Sequence, residues 1–242
     1  MFGVANALHE ILTAVSKVSD ENQPLLGYHF DLKPANILVE GSKPAEFLFK
    51  ITDFGLSAFK TAEAGSNTLP NTGDSQYMPP EGRDIVANRK YDVWSLGCIL
   101  LEVTAFAIRS YDGVGLLDKL FPEAKTKDNC AFFQKSAGRA ILRPDIVQFM
   151  DRELDSFVEK SSMHDERDRI FVKGVISLIK MMLEPSAASR LTSSEVVENL
   201  KVLRSDIRRH ISTEVKLVDA YPSEIELGDQ TLRSLRYGQE YH

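Results

Sequence analysis

An acid, a cation and an amide stand close together in His29-Phe30-Asp31-Leu32-Lys33-Pro34-Ala35-Asn36, between the apolar runs Leu25-Leu26-Gly27-Tyr28 and Ile37-Leu38-Val39. A second acid follows at Asp53-Phe54-Gly55. Moving a phosphoryl group between oxygens needs a group that orients a hydroxyl and accepts its proton, a metal that neutralises the phosphates, and a cation on the moving charge. Asp31 is of the right type for the base and Lys33 for the point charge. Asn36 and Asp53 offer oxygens to Mg²⁺, which takes oxygen donors and commonly keeps waters. The same residue types also make ordinary turns, and Asp53-Phe54-Gly55 can simply end a strand.

The elements around these residues have to hold them. Ile37-Leu38-Val39 and Phe47-Leu48-Phe49-Lys50-Ile51 read as two short strands joined by a turn at Glu40 to Pro44, a hairpin that delivers Asp53 at its end. Val4, Leu8, Ile11, Leu12, Val15 and Val18 recur at helical spacing, so an amphipathic helix over residues 1–18 leads toward the motif. Leu56 to Pro80, rich in Gly, Ser, Asn, Thr and Pro, reads as one extended loop, a length that compact domains keep mainly for function. From Tyr91 to Phe106 apolar residues almost surround the helical wheel, which predicts a helix buried on all sides. Arg109 to Lys127 carries a mixed pattern that decides no element. Ala131 to Lys160 is expected to be helical with a break at Arg143-Pro144, and Asp165-Glu166-Arg167-Asp168-Arg169 reads as a solvated helix start. Ile170 to Leu183 predicts a strongly apolar helix ended by Glu184-Pro185. Thr192-Ser193-Ser194-Glu195 has capping-box form and should open a last helix to about Leu203. Beyond it, Ile207, Ile211, Val215, Leu217 and Val218 are spread among charges in a tail over 206–242.

Composition narrows the function classes. With 242 residues and 43% hydrophobic content the chain can bury a real core. Its 29 basic and 35 acidic residues give a net charge of -6, with no basic run of the kind that marks a nucleic-acid footprint, so no nucleic-acid partner is expected. Cys98 and Cys130 lie in unlike contexts, which argues against a disulfide framework or a cysteine zinc site and for a reducing compartment. No secretory signal is evident, and the apolar run Val93 to Ile108 is shorter than the ~20 residues of a membrane span. An intracellular protein, cytoplasmic or nuclear, with no membrane partner is the expectation.

The order of the motifs carries a resemblance. His29 to Asn36 resembles the catalytic loop of eukaryotic protein kinases, and Asp53-Phe54-Gly55 resembles their metal-binding motif. Met78-Pro79-Pro80-Glu81 is similar to the end of their activation segment, and Tyr91-Asp92-Val93-Trp94-Ser95-Leu96-Gly97 to the start of their central buried helix. Arg190 stands where the family has the arginine that pairs with the activation-segment glutamate, here Glu81. The resemblance implies ATP and Mg²⁺ as cofactors and a protein substrate. Asp31 and Lys33 would be catalytic; Lys33, Asn36, Leu38 and Asp53 would bind the nucleotide, with Asn36 and Asp53 on the metal. His29 and Phe54 would stack beneath the site, Asp92 would accept backbone N–H groups of the catalytic loop, and Glu81 would pair with Arg190. Ile99 and Val103 would lie below the nucleotide. Lys33, two residues after Asp31, resembles the serine/threonine-directed branch.

The implied fold is mainly α with a small β-hairpin, the C-terminal lobe of the α+β kinase fold over residues 1–205 with a tail at 206–242. A small lobe of five strands and a helix needs ~60 residues or more. Residues 1–28 alone precede His29, and Gly113-Val114-Gly115 lacks the third glycine of a phosphate loop, so the N-terminal lobe is expected to be absent from these residues. A small lobe or a docking protein in trans is the implied partner. The 242 residues by themselves are expected to bind MgATP weakly and transfer little phosphate. Phe30 replaces an arginine that many kinases use to hold an activation-loop phosphate, and Asp74 stands where a threonine is usual, close enough by register to disturb Asp31 or capture Lys33. These departures support a second reading, an inactive lobe that docks other proteins.

Overall fold

The computed structural model describes residues 25–41, 48–61, 76–82, 90–121, 130–154 and 166–205. The expected helix over 1–18, Asp74 and the tail lie outside the described residues. The fold is organised on helix α1, Tyr91–Asp118, whose Val93, Trp94, Cys98 and Leu101 are fully buried. It packs against α3, Glu166–Met182. By length and hydropathy α1 could cross a membrane, but most of it is buried inside the fold, as a core helix should be. Cys98 and Cys130 are buried free thiols.

α1 runs well past Phe106, the end that sequence periodicity suggests. It also bends. Ser110 sits at φ 54, ψ -143, a non-helical conformation that turns the chain before helix resumes. The bend carries Gly113 onto the Ala105 carbonyl oxygen, where an added Cβ would collide with backbone rather than with a yielding side chain. Gly113→Ala is therefore expected to cost about 1–3 kcal/mol of stability, in the range of other overpacking changes. An unchanged urea midpoint would show that the bend relaxes freely. Nor is α1 buried on all sides: Glu102 is half-buried, and Val103 and Phe106 are exposed.

Among the described residues, three two-stranded antiparallel sheets stand where a single hairpin was expected. β2, Ile37–Glu40, pairs with β3, Leu48–Ile51, in the register Ile37 to Ile51 and Val39 to Phe49. Opposed residues share a face, so Ile37, Phe49 and Ile51 pack together on the core while Leu38 and Leu48 point the other way and remain exposed. The second sheet corrects the reading of Leu56 to Pro80 as unbroken loop. β4, Ala58–Thr61, lies within it and pairs with β1, Leu25–Tyr28. The third corrects the helical expectation for Ala131 to Lys160: β5, Phe133–Ser136, and β6, Arg139–Leu142, form a hairpin. Its two turn residues, Ala137 and Gly138, both have left-handed φ, 50 and 75, which matches the twist of a two-residue hairpin. Helix returns only with α2, Pro144–Gln148, which has proline in its first turn and continues into a π-turn over Phe149–Leu154.

α3 stops at Met182, ahead of Pro185, and a last helix, α4, covers 193–205. The capping box forms as the spacing predicts. The Thr192 N–H donates to Glu195 Oε2 at 2.7 Å, and the Glu195 N–H donates to Thr192 Oγ1 at 3.3 Å. The Thr192 backbone bond, with its hydroxyl, holds the Glu195 carboxyl below its ordinary range.

Candidate active site

The loop that carries Asp31 is pinned from below by a single carboxylate. Asp92, in the first turn of α1 and fully buried, accepts the His29 N–H at Oδ2 and the Phe30 N–H at Oδ1, both at 2.9 Å. Burial pushes the Asp92 carboxyl up from its ordinary value, and the two backbone N–H bonds oppose that push. Phe30 needs this anchoring because its φ of 65 is left-handed, a region that a bulky side chain adopts only when its surroundings hold it there. Its ring stacks on Tyr28 at 5.0 Å and meets Tyr91 edge-on at 5.1 Å. With buried Met78 and half-buried Leu56 and Ala58, these rings form a separate small core. This packing ties β1, β4 and α1 together.

Pro34–Asn36 then makes one 3₁₀ turn. That turn gathers the chemical groups. Lys33 Nζ lies 2.7 Å from Asp31 Oδ2, and Asn36 Nδ2 donates to the Asp31 carbonyl at 2.8 Å and to Asp31 Oδ2 at 3.1 Å. Asp31 is only 9% exposed and Asn36 is buried, so the amide is oriented by its two donations and its oxygen stays on the other side as an acceptor.

The β2–β3 hairpin supplies the second acid. Thr52 donates to the Asn36 carbonyl twice, from its N–H at 2.9 Å and its hydroxyl at 3.2 Å. Asp53, the next residue, is thereby tied to the loop; it is exposed, has a left-handed φ of 61, and accepts the Gly55 N–H at 3.3 Å. Among the described residues no three His, Cys, Asp or Glu side chains converge on a metal site. A Mg²⁺ held here would be held by oxygens of Asn36 and Asp53, with phosphate and water supplying the rest. His29 is buried beneath them. Its Nε2 donates to the Thr52 carbonyl at 2.9 Å, its ring meets Phe54 edge-on at 5.2 Å, and its Nδ1 has no partner among the described residues.

Far from Asp31 in sequence, Arg190 closes the other side. Its side chain is completely buried, with Nη1 2.6 Å from Glu81 Oε1 and Nη2 3.0 Å from Glu81 Oε2. The same guanidinium donates to the carbonyls of Glu184 and Lys90, each at 2.9 Å, and lies 5.1 Å from the centre of the Trp94 ring. Nearby, the Tyr77 hydroxyl donates to Glu102, and the Ser95 hydroxyl donates to the Tyr77 carbonyl at 2.9 Å. The segment over 76–82 is thus fastened to α1 at its Tyr77 end and to Arg190, beyond α3, at its Glu81 end.

Residues 3–200 match the family model described as the protein kinase domain. The chain belongs to the protein kinase family. It is 39% identical over 104 residues to receptor-interacting serine/threonine-protein kinase 2 of Bos taurus, covering 40% of this chain and 18% of that protein. It is 32% identical over 121 residues to serine/threonine-protein kinase nekl-2 of Caenorhabditis elegans, covering 50% of the chain and 31% of the relative. Against mitogen-activated protein kinase kinase kinase YODA of Arabidopsis thaliana it is 27% identical over 206 residues, 79% of the chain and 20% of the relative. The chain spans less than a third of the length of each of these kinases.

Within this kinase chain, Asp31, Lys33 and Asn36 come together directly, and Asp53 joins them through Thr52. Leu38 lies on the outward face of β2, 54% exposed. Val103 lines a groove against α3 and α4. Sequence reading missed Thr52 and the Tyr77–Glu102 contact. Thr52 had one signal, its place next to Asp53, but a hydroxyl there acquires meaning only when the hairpin folds over Asn36.

Proposed function

We propose that residues 1–205 are the large lobe of a kinase that transfers the γ-phosphoryl group of MgATP to serine and threonine hydroxyls of proteins, with 206–242 as a tail. The observation that carries this reading is the placement of the Asp31 carboxylate, shielded from water, against Lys33 and Asn36 in a loop anchored by Asp92. In this reading Asp31 orients the acceptor hydroxyl and takes its proton, Lys33 turns from Asp31 toward the charge on the moving phosphoryl group, and Asn36 and Asp53 hold metal through oxygen. Magnesium bound with ATP supplies charge neutralisation on the phosphates. Leu38 forms the apolar floor under adenine, and a small lobe, in a longer polypeptide or in trans, covers this exposed side chain. An intracellular setting suits the two buried thiols.

A second reading, a lobe that docks proteins without transferring phosphate, draws support from Phe30. Its aromatic cluster holds the loop with no arginine there to receive a regulatory phosphate. The two readings separate on one measurement. The longest polypeptide carrying these residues should move label from γ-labelled MgATP to peptide acceptors, and acid hydrolysis of the product should yield phosphoserine and phosphothreonine. Phosphotyrosine alone would overturn the acceptor assignment. No label with any acceptor would favour the docking lobe.

A further inference from the structure

Thr52, between β3 and Asp53, is held at every polar group it has. Its N–H and its hydroxyl both donate to the Asn36 carbonyl, at 2.9 and 3.2 Å, and its carbonyl accepts His29 Nε2 at 2.9 Å. The bonds on either side make a continuous path: Asp92 takes the His29 N–H, and the Asn36 amide donates back to Asp31. The hydroxyl is the one member of this path that the hairpin does not require. Ile37 to Glu40 pair with Ile51 to Leu48 through their backbones, and the Asn36 carbonyl keeps a donor in the Thr52 N–H. A second bond to the same oxygen, through its other lone pair, adds direction. It stops the Asn36 peptide from swinging relative to the residue that precedes Asp53. Asp53 needs such a restraint. Its φ of 61 is left-handed, a conformation that a non-glycine residue keeps only when its surroundings impose it, and it is exposed, so packing supplies little of that hold.

We propose, on the kinase reading above, that Thr52 is a positioning residue for the metal: its hydroxyl, bonded to the Asn36 carbonyl, keeps the Asn36 side-chain oxygen and the Asp53 carboxylate in one fixed arrangement for the magnesium bound with ATP. Groups that orient metal ligands from behind typically change metal affinity about 10–100-fold when they are removed. Threonine suits this task better than serine or valine. Its branched Cβ stiffens χ1 and favours an extended backbone, while the hydroxyl supplies the bond. A hydroxyl that merely satisfied the carbonyl would add to stability and leave metal affinity alone, so the two roles separate on measurement.

The longest polypeptide carrying these residues is titrated with Mg²⁺ in the presence of a fluorescent ATP analogue. In Thr52→Val, which keeps the branched shape and removes the hydroxyl, the Mg²⁺ concentration for half-maximal binding should rise about tenfold or more. The affinity for the metal-free analogue should not change. The urea midpoint should stay near that of the parent, since the Asn36 carbonyl keeps the N–H of residue 52. Thr52→Ser, which keeps the hydroxyl, should stay within about threefold of the parent. A Thr52→Val shift below about threefold, an equal loss with and without Mg²⁺, a loss that accompanies unfolding, or a Thr52→Ser loss as large as that of Thr52→Val would overturn the role of Thr52 and leave the kinase reading standing. A parent with no Mg²⁺-dependent binding of the analogue would overturn the kinase reading and the role of Thr52 together.

Discussion

Asp31→Asn in the longest polypeptide carrying these residues is expected to lower phosphoryl transfer by about 10²–10⁴-fold, the usual contribution of a positioned proton acceptor. Asparagine keeps the shape of the side chain and can still meet the Asn36 amide, so the loop geometry set by Asp92 should survive. Lys33 loses its partner at 2.7 Å, yet it is partly exposed and water can solvate its ammonium. The unfolding midpoint should therefore stay near that of the parent while kcat falls and KM for MgATP changes little. Such a split assigns the loss to the transition state rather than to binding. A variant retaining activity within a few-fold of the parent would remove Asp31 from the role of base. A variant that loses activity together with its fold would place Asp31 among the structural residues.

Arg190→Met should be the most damaging single change to stability, at about 3–5 kcal/mol, because it strands a carboxylate that had been paired inside the protein. Three features push it toward the upper end. Glu81 keeps little access to water, the carbonyls of Glu184 and Lys90 lose their donor, and the Trp94 ring loses the cation against its face. Adding Glu81→Leu to Arg190→Met should recover part of the loss, since the buried charge then disappears with its partner. Arg190→Lys should recover little, because an ammonium cannot reproduce the paired bonds to Glu81 while also serving the carbonyls. Urea unfolding of the single and double variants reads all of this. A loss below about 1 kcal/mol for Arg190→Met, typical of exposed ion pairs, would show that water reaches the pair.

Legibility in the sequence followed the range of the interaction. The β2–β3 hairpin and the Thr192–Glu195 cap were readable because the two strands follow one another in sequence and the cap's partners are three residues apart. β4 was not, because Ala58–Thr61 becomes a strand by pairing with Leu25–Tyr28, more than a turn's reach away, inside a stretch whose composition suggests loop. The β5–β6 hairpin was missed although Ala137-Gly138 signalled it: a short apolar run is consistent with helix or strand, and only the left-handed turn separates the two. For Val103, helical periodicity marked an apolar position but could not say which neighbour would meet it.

By itself the sequence determined the chemical set at the opening loop. Asp31, Lys33 and Asn36 lie within six residues around the turn that Pro34 opens, so the short offsets keep their side chains within reach of one another. Tertiary structure decided what those groups rest on. Asp92 becomes an anchor only when α1 is laid under β1, Phe30 becomes a packing residue only when Tyr28 and Tyr91 arrive on either side, and Arg190 is committed to Glu81 only once it is sealed from water. Those outcomes depend on burial and long-range contact, which arise when distant segments fold against one another.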